Sequence, residues 1–304
     1  MFRFFLLEKF VFLRVITTAS TKRIALFLVL PWTLTLVVFW GYPLVYALYL
    51  SFTKYKTLTT DTIWIGFDNY KKLFTDEAFR QSLLNTFVFV IGTIPVTMIL
   101  ALIGAAMLAR VKRLQYFFQS ALFLPSVTSL VVIALIFTNL YSSGGYINTL
   151  LKLVGLPHSE KGWLLEPSTA LPAVMAMDIW VSVGYYAVLF VAAIQNISKD
   201  LYEVADLEGA SAWQQFWRIT MPSIKPTLLF ALVLNTIKSF QVFTEIYVLT
   251  KGGPLGRTST LVYSVYQNAF ERADGMGYAC AIAYVLFFII AIFSAVEFRM
   301  LRER

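Results

Sequence analysis

Residues 199–226 read KDLYEVADLEGASAWQQFWRITMPSIKP and separate two long apolar stretches of the chain. Within them Glu203, Val204 and Ala205 are followed, after three more residues, by Gly209. Nine residues further on come Ile219, one spacer residue and a Met-Pro pair. Few interhelical loops carry such a combination of residue types at two fixed spacings, so this loop is the most informative segment of the sequence.

The loop predicts two short helices joined by a turn. Ser198 is a favourable N-cap residue, and Asp200 lies where an acidic side chain suits the positive end of the helix dipole. Gly209 favours a turn in the left-handed region, which other residues enter at a cost. Ser211 is positioned to cap the second helix, and we expect that helix to end at Pro222.

The pattern resembles the E-A-A-x3-G-x9-I-x-L-P signature of the membrane subunits of ATP-binding-cassette importers, with Val204 replacing Ala and Met221 replacing Leu. In that family the loop forms a cytoplasmic coupling helix that fits into a cleft on a separate ATPase subunit. The resemblance assigns ATPase coupling to Glu203, Val204, Ala205, Asp206, Gly209, Ala210, Ile219 and Pro222.

The composition is that of an integral membrane protein. Of 304 residues, 59% are hydrophobic and only 14% are charged, with a mean hydropathy of +0.71. A helix needs about 20 mostly apolar residues to cross a bilayer. Six segments meet this requirement, which predicts an all-α fold with six transmembrane helices, at residues 24–50, 85–109, 117–141, 172–194, 227–250 and 276–298.

The distribution of basic residues predicts the orientation. Arg110, Lys112 and Arg113 crowd the short loop between the second and third spans, which favours a cytoplasmic position for this loop. This orientation predicts a multi-pass protein of the cell membrane with both termini in the cytoplasm. We divide the chain into an amphipathic N-terminal segment (1–23), a permease domain (24–298) that includes the coupling loop (196–226), and a cytoplasmic tail (299–304).

Several classes of function find no support in the sequence. The single cysteine, Cys280, falls in the last span, and the single histidine, His158, falls in an outer loop, so neither a disulfide framework nor a metal cluster is expected. The net charge of +8 is not gathered into a nucleic-acid surface. The chain contains no GxxxxGK[ST], HExxH or GxSxG motif, so we expect neither nucleotide binding nor catalysis here.

Two outer loops carry further resemblances. Residues 65–70, IGFDNY, resemble a G-x-x-N-Y stretch of sugar-importer permeases, and residues 249–254, LTKGGP, also match that family. From about residue 24 to 298 the chain is most similar to the maltose-type carbohydrate permeases. This resemblance implies the type I importer permease fold.

Polar residues lie inside several spans, where hydrocarbon disfavours them. A charged side chain at mid-bilayer costs at least about 2.5–3.5 kcal/mol on insertion scales, so Asp178 and Lys238 should face a cavity or a partner. Asp178, Ser182 and Tyr185 share one helix face by their spacing. Such groups also join helices without touching a solute, and a salt bridge from Asp178 to Lys238 is the structural alternative.

Alignment with the maltose permease implies a set of solute contacts. Carboxylate, amide and hydroxyl groups bind sugar hydroxyls, whereas tyrosine rings stack on apolar sugar faces. By this reasoning Asp178 faces a water-accessible cavity and repels anionic solutes. The implied substrate-binding residues are Ser126, Leu130, Asp178, Val181, Ser182, Tyr185, Asn235 and Ser239.

The resemblance also implies partners. A homologous second permease would complete the pore, two copies of a cytoplasmic subunit would bind ATP and Mg²⁺, and an extracytoplasmic binding protein would deliver the sugar. This chain would contact membrane lipid, no nucleic acid and no cofactor of its own. The alternatives are a stand-alone ion-coupled carrier that uses Asp178 or Glu245, for which the halves show no clear internal repeat, and an intramembrane enzyme or scaffold.

Overall fold

The computed structural model describes residues 19–55, 61–109, 111 and 113–302. The first span consists of α1 (Ala19–Leu36), a π-helical turn (Val37–Gly41) and α2 (Tyr42–Ser51). In the stretch from residue 25 to 51, the most apolar window has no buried residue, so its side chains are free to contact lipid or another subunit. Residues 1–18 of the predicted amphipathic N-terminal segment lie outside the described residues.

A small outer element follows the first span. Strands β1 (Thr53–Tyr55) and β2 (Thr62–Trp64) pair antiparallel, with Thr53 opposite Trp64, and α3 (Asp68–Thr75) packs beside them. The buried Asn69 amide donates to the carbonyl oxygens of Ser51 and Thr53 at 2.8 and 2.9 Å. The Asn-Tyr stretch of the sequence therefore fastens α3 to the end of the first span.

The longest helices form the centre of the fold. Helix α4 (Glu77–Leu108) packs along α8 (Ala170–Gln195). Ala101, Ala105 and Ala187 are completely buried between them. Small side chains let two helix backbones approach closely, which is how membrane helices gain packing contacts without a hydrophobic driving force.

The third predicted span is broken. Helix α5 (Gln115–Val127) and helix α6 (Leu130–Leu140) meet at 93°, so the expectation of one straight helix over 117–141 is wrong. The bend follows Pro125, and the Thr128 hydroxyl donates to the Leu124 carbonyl at 2.8 Å in place of a backbone donor.

The contact between α5 and α8 requires a glycine. A Cβ atom at Gly184 would lie 1.8 Å from the Leu122 carbonyl oxygen, which is main chain and has no room to give way. A side chain at this position would force α5 and α8 apart. Gly184 therefore sets how closely the broken span approaches the central helix.

The predicted coupling loop is a helical hairpin. Helices α9 (Lys199–Leu207) and α10 (Ala212–Gln215) form its two arms. Helix α7 (Tyr146–Leu153) comes earlier in the chain, before α8. Helix α10 continues through a π-helical turn (Phe216–Thr220) into α11 (Met221–Phe240) without a break. We define the coupling hairpin as residues 199–220.

Two details of the fifth span differ from expectation. Pro222 does not end the preceding helix, because the π-helical turn directly before it, in which the Met221 N–H bonds to the Phe216 carbonyl, continues the chain into α11. The span is interrupted at residues 241–243 before α12 (Thr244–Leu249), whereas a continuous helix was expected over 227–250.

The last span closes the bundle. Helix α13 (Leu261–Tyr266) and a π-helical turn (Gln267–Glu271) lead to α14 (Met276–Arg302). The outer loop before α13 is fastened to α4, since the Asn85 amide donates to the carbonyls of Gly256 and Ser259 at 2.9 and 2.8 Å.

The described helices confirm the predicted fold class. Five of them are long and apolar enough to cross a membrane, and the bent α5–α6 pair makes up to six. Cys280 is buried in the last span as expected, and His158 is exposed in its loop. One apolar core lies among α4, α8, α11 and α14, and a second lies among α6, α8 and α12.

Candidate functional site

The turn of the coupling hairpin has the geometry of a Schellman motif. Gly209 adopts φ +75°, and its N–H bonds to the Asp206 carbonyl at 3.0 Å. The Ala210 N–H bonds to the Ala205 carbonyl at 2.9 Å. These bonds satisfy the last carbonyls of α9, so the predicted role of Gly209 in the turn is confirmed.

Side-chain contacts hold the second arm against the first. Ser211 and Gln214 form the reciprocal bonds of a capping box, which confirms the predicted cap. The Gln215 amide donates to the Asp206 carboxylate at 2.5 Å. Ser198 occupies the N-cap position of α9 but makes no side-chain cap bond, so its predicted capping role is wrong.

An apolar patch lies on the outside of the hairpin. Glu203 and Val204 are exposed on α9, whereas Ala205 faces inward and is 9% exposed. Leu207 is 89% exposed and Trp213 is 70% exposed. Exposed apolar residues grouped on a polar hairpin indicate a protein-binding surface.

Three further predicted coupling residues differ from one another in exposure. Ala210 is half-buried in the turn, and Ile219 is half-buried in the π-helical turn. Pro222 is exposed at the start of α11. The eight residues therefore divide into an exposed group and a group that shapes the hairpin.

A cleft of about 290 Å³ opens beside the bend of the third span. Five of the eight predicted substrate-binding residues line it, together with Thr128, Tyr186 and Lys238. The Ser126 hydroxyl donates to the Val181 carbonyl at 2.7 Å and thereby ties α5 to α8. The five predicted residues in the cleft are Ser126, Leu130, Val181, Ser182 and Tyr185.

A buried ionic cluster forms one wall of the cleft. Lys238 Nζ lies 2.6 Å from Asp178 Oδ1 and donates to the Ser182 hydroxyl at 2.5 Å. The Glu245 carboxyl, 3% exposed, lies near Asp178 on the side of α12. We call Asp178, Lys238 and Glu245 the ionic cluster.

The position of Asp178 corrects two expectations. Its side chain is only 3% exposed, so it does not face the cleft. It is paired with Lys238, so the argument that its charge alone repels anionic solutes is wrong. Within a low-dielectric interior a paired carboxylate is stabilised by its partner and has little field to project.

The other two predicted contacts are also buried. Asn235 and Ser239 are each 1% exposed on α11 and lie 3.5 Å apart through their side-chain oxygens, Oδ1 and Oγ. The Asn235 amide nitrogen has no hydrogen-bond partner among the described residues. These two side chains do not line the cleft, and their role in solute binding stays a prediction.

Lys238 is the charged one of the three cleft residues that the predicted substrate set omitted. A lysine inside an apolar span is itself a signal, because an unpaired ammonium there is costly. Which of the two side chains, Lys238 or Asp178, reaches the cleft depends on how their helices are rotated about their axes. Sequence spacing alone does not define this rotation.

Residues 98–298 match the family described as the binding-protein-dependent transport system inner membrane component. The chain belongs to this family. The match covers the coupling hairpin, both broken spans and the ionic cluster. The family consists of transporter permeases, not enzymes.

Individual relatives extend the similarity to nearly the whole permease. The chain is 34% identical over 270 residues to the lactose transport system permease protein LacF of Rhizobium radiobacter. This alignment covers 88% of the chain and 90% of LacF. The chain is 36% identical over 286 residues to YurN, a probable ABC transporter permease protein of Bacillus subtilis, which covers 93% and 98% of the two chains.

A solved structure shares the fold. A chain from a bacterial ABC transporter involved in the import of the acidic polysaccharide alginate superposes with a TM-score of 0.79 at 26% identity. The superposition covers 95% of this permease and 98% of that chain. This permease therefore has the fold of the type I importer permeases and is a multi-pass membrane protein.

Proposed function

We propose that this permease forms half of the translocation pore of an ATP-driven importer for a sugar or oligosaccharide. The relatives support a carbohydrate, since LacF is named for lactose and the structural relative for alginate import. A binding protein outside the membrane delivers the solute, and a second, homologous permease completes the pore.

The observation that carries the proposal is the exposed patch of the coupling hairpin. Its arms are held by the Gln215–Asp206 bond and the Gly209 turn, while Glu203, Val204 and Leu207 remain exposed. A rigid hairpin with unpartnered apolar side chains is suited to transmit force from a protein that docks on it. Two copies of an ATPase bind ATP and Mg²⁺ and close against the hairpins of the two permeases.

This mechanism defines the orientation and the chemistry. The coupling hairpin and both termini lie in the cytoplasm, where an ATPase is available, and the β1–β2 element lies outside. No bond of the sugar is made or broken. Closure of the ATPases moves the hairpins and rearranges the cleft, so that the solute passes from one side to the other.

The test is co-purification followed by uptake. The tagged permease, expressed with the neighbouring genes of its own genome, should bring down an ATPase and a homologous permease in a complex with one copy of each permease and two ATPase subunits. Proteoliposomes containing the complex should accumulate sugar only with internal ATP and the external binding protein. Accumulation by the permease alone, driven by a proton or sodium gradient, would instead favour the ion-coupled carrier.

A further inference from the structure

Lys238 presents an unused hydrogen-bond donor to the cleft. An ammonium group has three N–H donors and no acceptor. Two of the Lys238 donors are taken by Asp178 Oδ1 and Ser182 Oγ. The Lys238 side chain is 40% exposed and lines the cleft, whereas that of Asp178 is 3% exposed.

The ionic cluster holds this donor in position. Asp178 and Ser182 are one helical turn apart on α8, so their oxygens accept hydrogen bonds from Lys238 Nζ from two directions. A free lysine side chain has many rotamers and loses their entropy on binding. Because the two bonds already restrict Nζ, a solute that accepts the third N–H meets a largely preorganised donor.

The charges of the cluster bear on the class of solute. Two buried carboxyl groups, Asp178 and Glu245, stand behind one ammonium, so the cluster has no surplus positive charge. Lys238 is the only charged residue among the described residues that line the cleft. A carboxylate on the solute would find no free countercharge there, and burying it would be costly.

We propose that Lys238 is a solute-contacting residue that donates its third N–H to an oxygen of a neutral saccharide, and that Asp178 is a positioning residue for Lys238. This inference rests on the proposed function as a sugar permease. The Tyr185 ring, 44% exposed at the same cleft, supplies a face for the apolar side of the sugar ring. The Ser126 hydroxyl retains lone pairs that accept from sugar hydroxyls.

The experiment uses the assembled transporter in proteoliposomes with its own binding protein. The probes are lactose, maltotriose and arabinotriose as neutral saccharides and an alginate trisaccharide as the acidic one. Lys238→Met leaves Asp178 buried without its partner and endangers assembly. The decisive variant therefore combines Asp178→Asn and Lys238→Gln with Glu245→Gln, so that the third member of the ionic cluster is not left buried without a countercharge.

The triple variant should assemble as the wild type does, yet its KM for the neutral saccharide should rise about tenfold with a smaller change in kcat. That size is expected for the loss of one hydrogen bond from a charged donor. Lys238→Arg keeps the charge but changes the donor geometry, so its KM should rise less. Lys152→Gln, a matched substitution of an exposed lysine on α7, should leave KM unchanged.

Three results would overturn the inference. An assembled triple variant with wild-type KM would make the ion pair purely structural. A wild-type transporter that takes up the alginate trisaccharide in preference to the neutral probes would refute the neutral class. Uptake of none of the four probes would refute the proposed sugar transport itself, and the inference with it.

Discussion

The hydroxyl groups of Tyr202 and Thr220 lie 2.8 Å apart and join the first helix of the coupling hairpin to the end of its π-helical turn. Thr220 is 7% exposed, and both residues line a cavity of about 490 Å³ between the hairpin and the ends of α4 and α8. This bond spans the hairpin, so we expect a displacement of α9 to reach the start of α11.

Removal of this bond should weaken coupling. Tyr202→Phe leaves the Thr220 hydroxyl buried without its partner, which costs roughly 1–3 kcal/mol. We expect the complex to assemble, with sugar-stimulated ATPase activity reduced several-fold. Tyr116→Phe, on an 82% exposed ring of α5, is the matched control and should behave as wild type. Equal ATPase stimulation in the two variants would show that the bond transmits nothing.

The charge of Glu203 should matter for coupling more than for folding. Its side chain is exposed on α9, so Glu203→Lys disturbs no internal contact while reversing a charge that, under the proposed function, faces the ATPase. Uptake and sugar-stimulated ATP hydrolysis should both fall by at least tenfold with the permease pair intact. Glu203→Gln keeps the shape and should retain intermediate activity. Normal uptake by Glu203→Lys would remove this residue from the coupling surface.

Substitutions at Gly209 should follow backbone preference and not size. A Cβ atom there meets nothing within 4 Å, yet φ is +75°. A β-branched residue is a genuine outlier at positive φ, whereas asparagine enters this region more readily. Gly209→Val should therefore lose ATPase stimulation because of its backbone, and Gly209→Asp because of the charge that it adds to the docking surface, whereas Gly209→Asn should keep most of it. If all three variants lost activity equally in assembled complexes, the side chain itself would block docking.

Thiol accessibility should separate the cleft from the buried residues behind it. Cysteines at Ser126 and Tyr185 should react with a small hydrophilic reagent, and transported sugar should slow the reaction. Cysteines at Asn235 and Ser239, each 1% exposed in the native side chain, should react at least tenfold more slowly. Rapid, sugar-protected labelling at Asn235 would mean that the cleft extends to α11 in the assembled transporter.

Asp76 should stabilise the outer ends of two spans. Its Oδ1 accepts from the N–H groups of Ala78 and Phe79 at the start of α4, and its Oδ2 accepts from the Tyr278 hydroxyl at 2.7 Å. Asp76→Ala should lower stability by about 1 kcal/mol, the usual value of an N-cap, and reduce Tm in detergent. Asp274→Ala, at an exposed carboxylate of the same outer region, is the control.

The effect of Asp76 should depend on pH. Partial burial acts to raise the pKa of Asp76, but the hydrogen bonds from Tyr278, Ala78 and Phe79 outweigh it and hold the pKa below the ordinary value of 3.8. The contribution is therefore complete above pH 3.8 and is lost as the pH falls through the lower native pKa. The Tm difference between wild type and Asp76→Ala should be constant near pH 7 and shrink in strong acid; a difference that grew in acid would contradict this sign.

Several parts of the structure followed from local sequence. Long apolar runs have one favourable conformation in a bilayer, a helix that satisfies its own backbone. The Gly209 turn and the Ser211 capping box likewise depend on residues within a few positions of one another. The predicted starts of the second and fifth spans were less accurate. Helix α4 begins at Glu77, and α10 continues into α11, and in both places the first residues are too polar to be recognised by hydropathy.

The family membership, the six-span architecture and the hairpin of this permease were thus determined by the sequence itself, since each depends on composition or on short spacings. The tertiary structure decided which polar side chain meets the cleft. Asp178 and Lys238 are 60 residues apart, and their separation in space depends on how α8 and α11 rotate against each other. The packing of α11 against α8 sets that rotation, and periodicity along one helix carries no information about it.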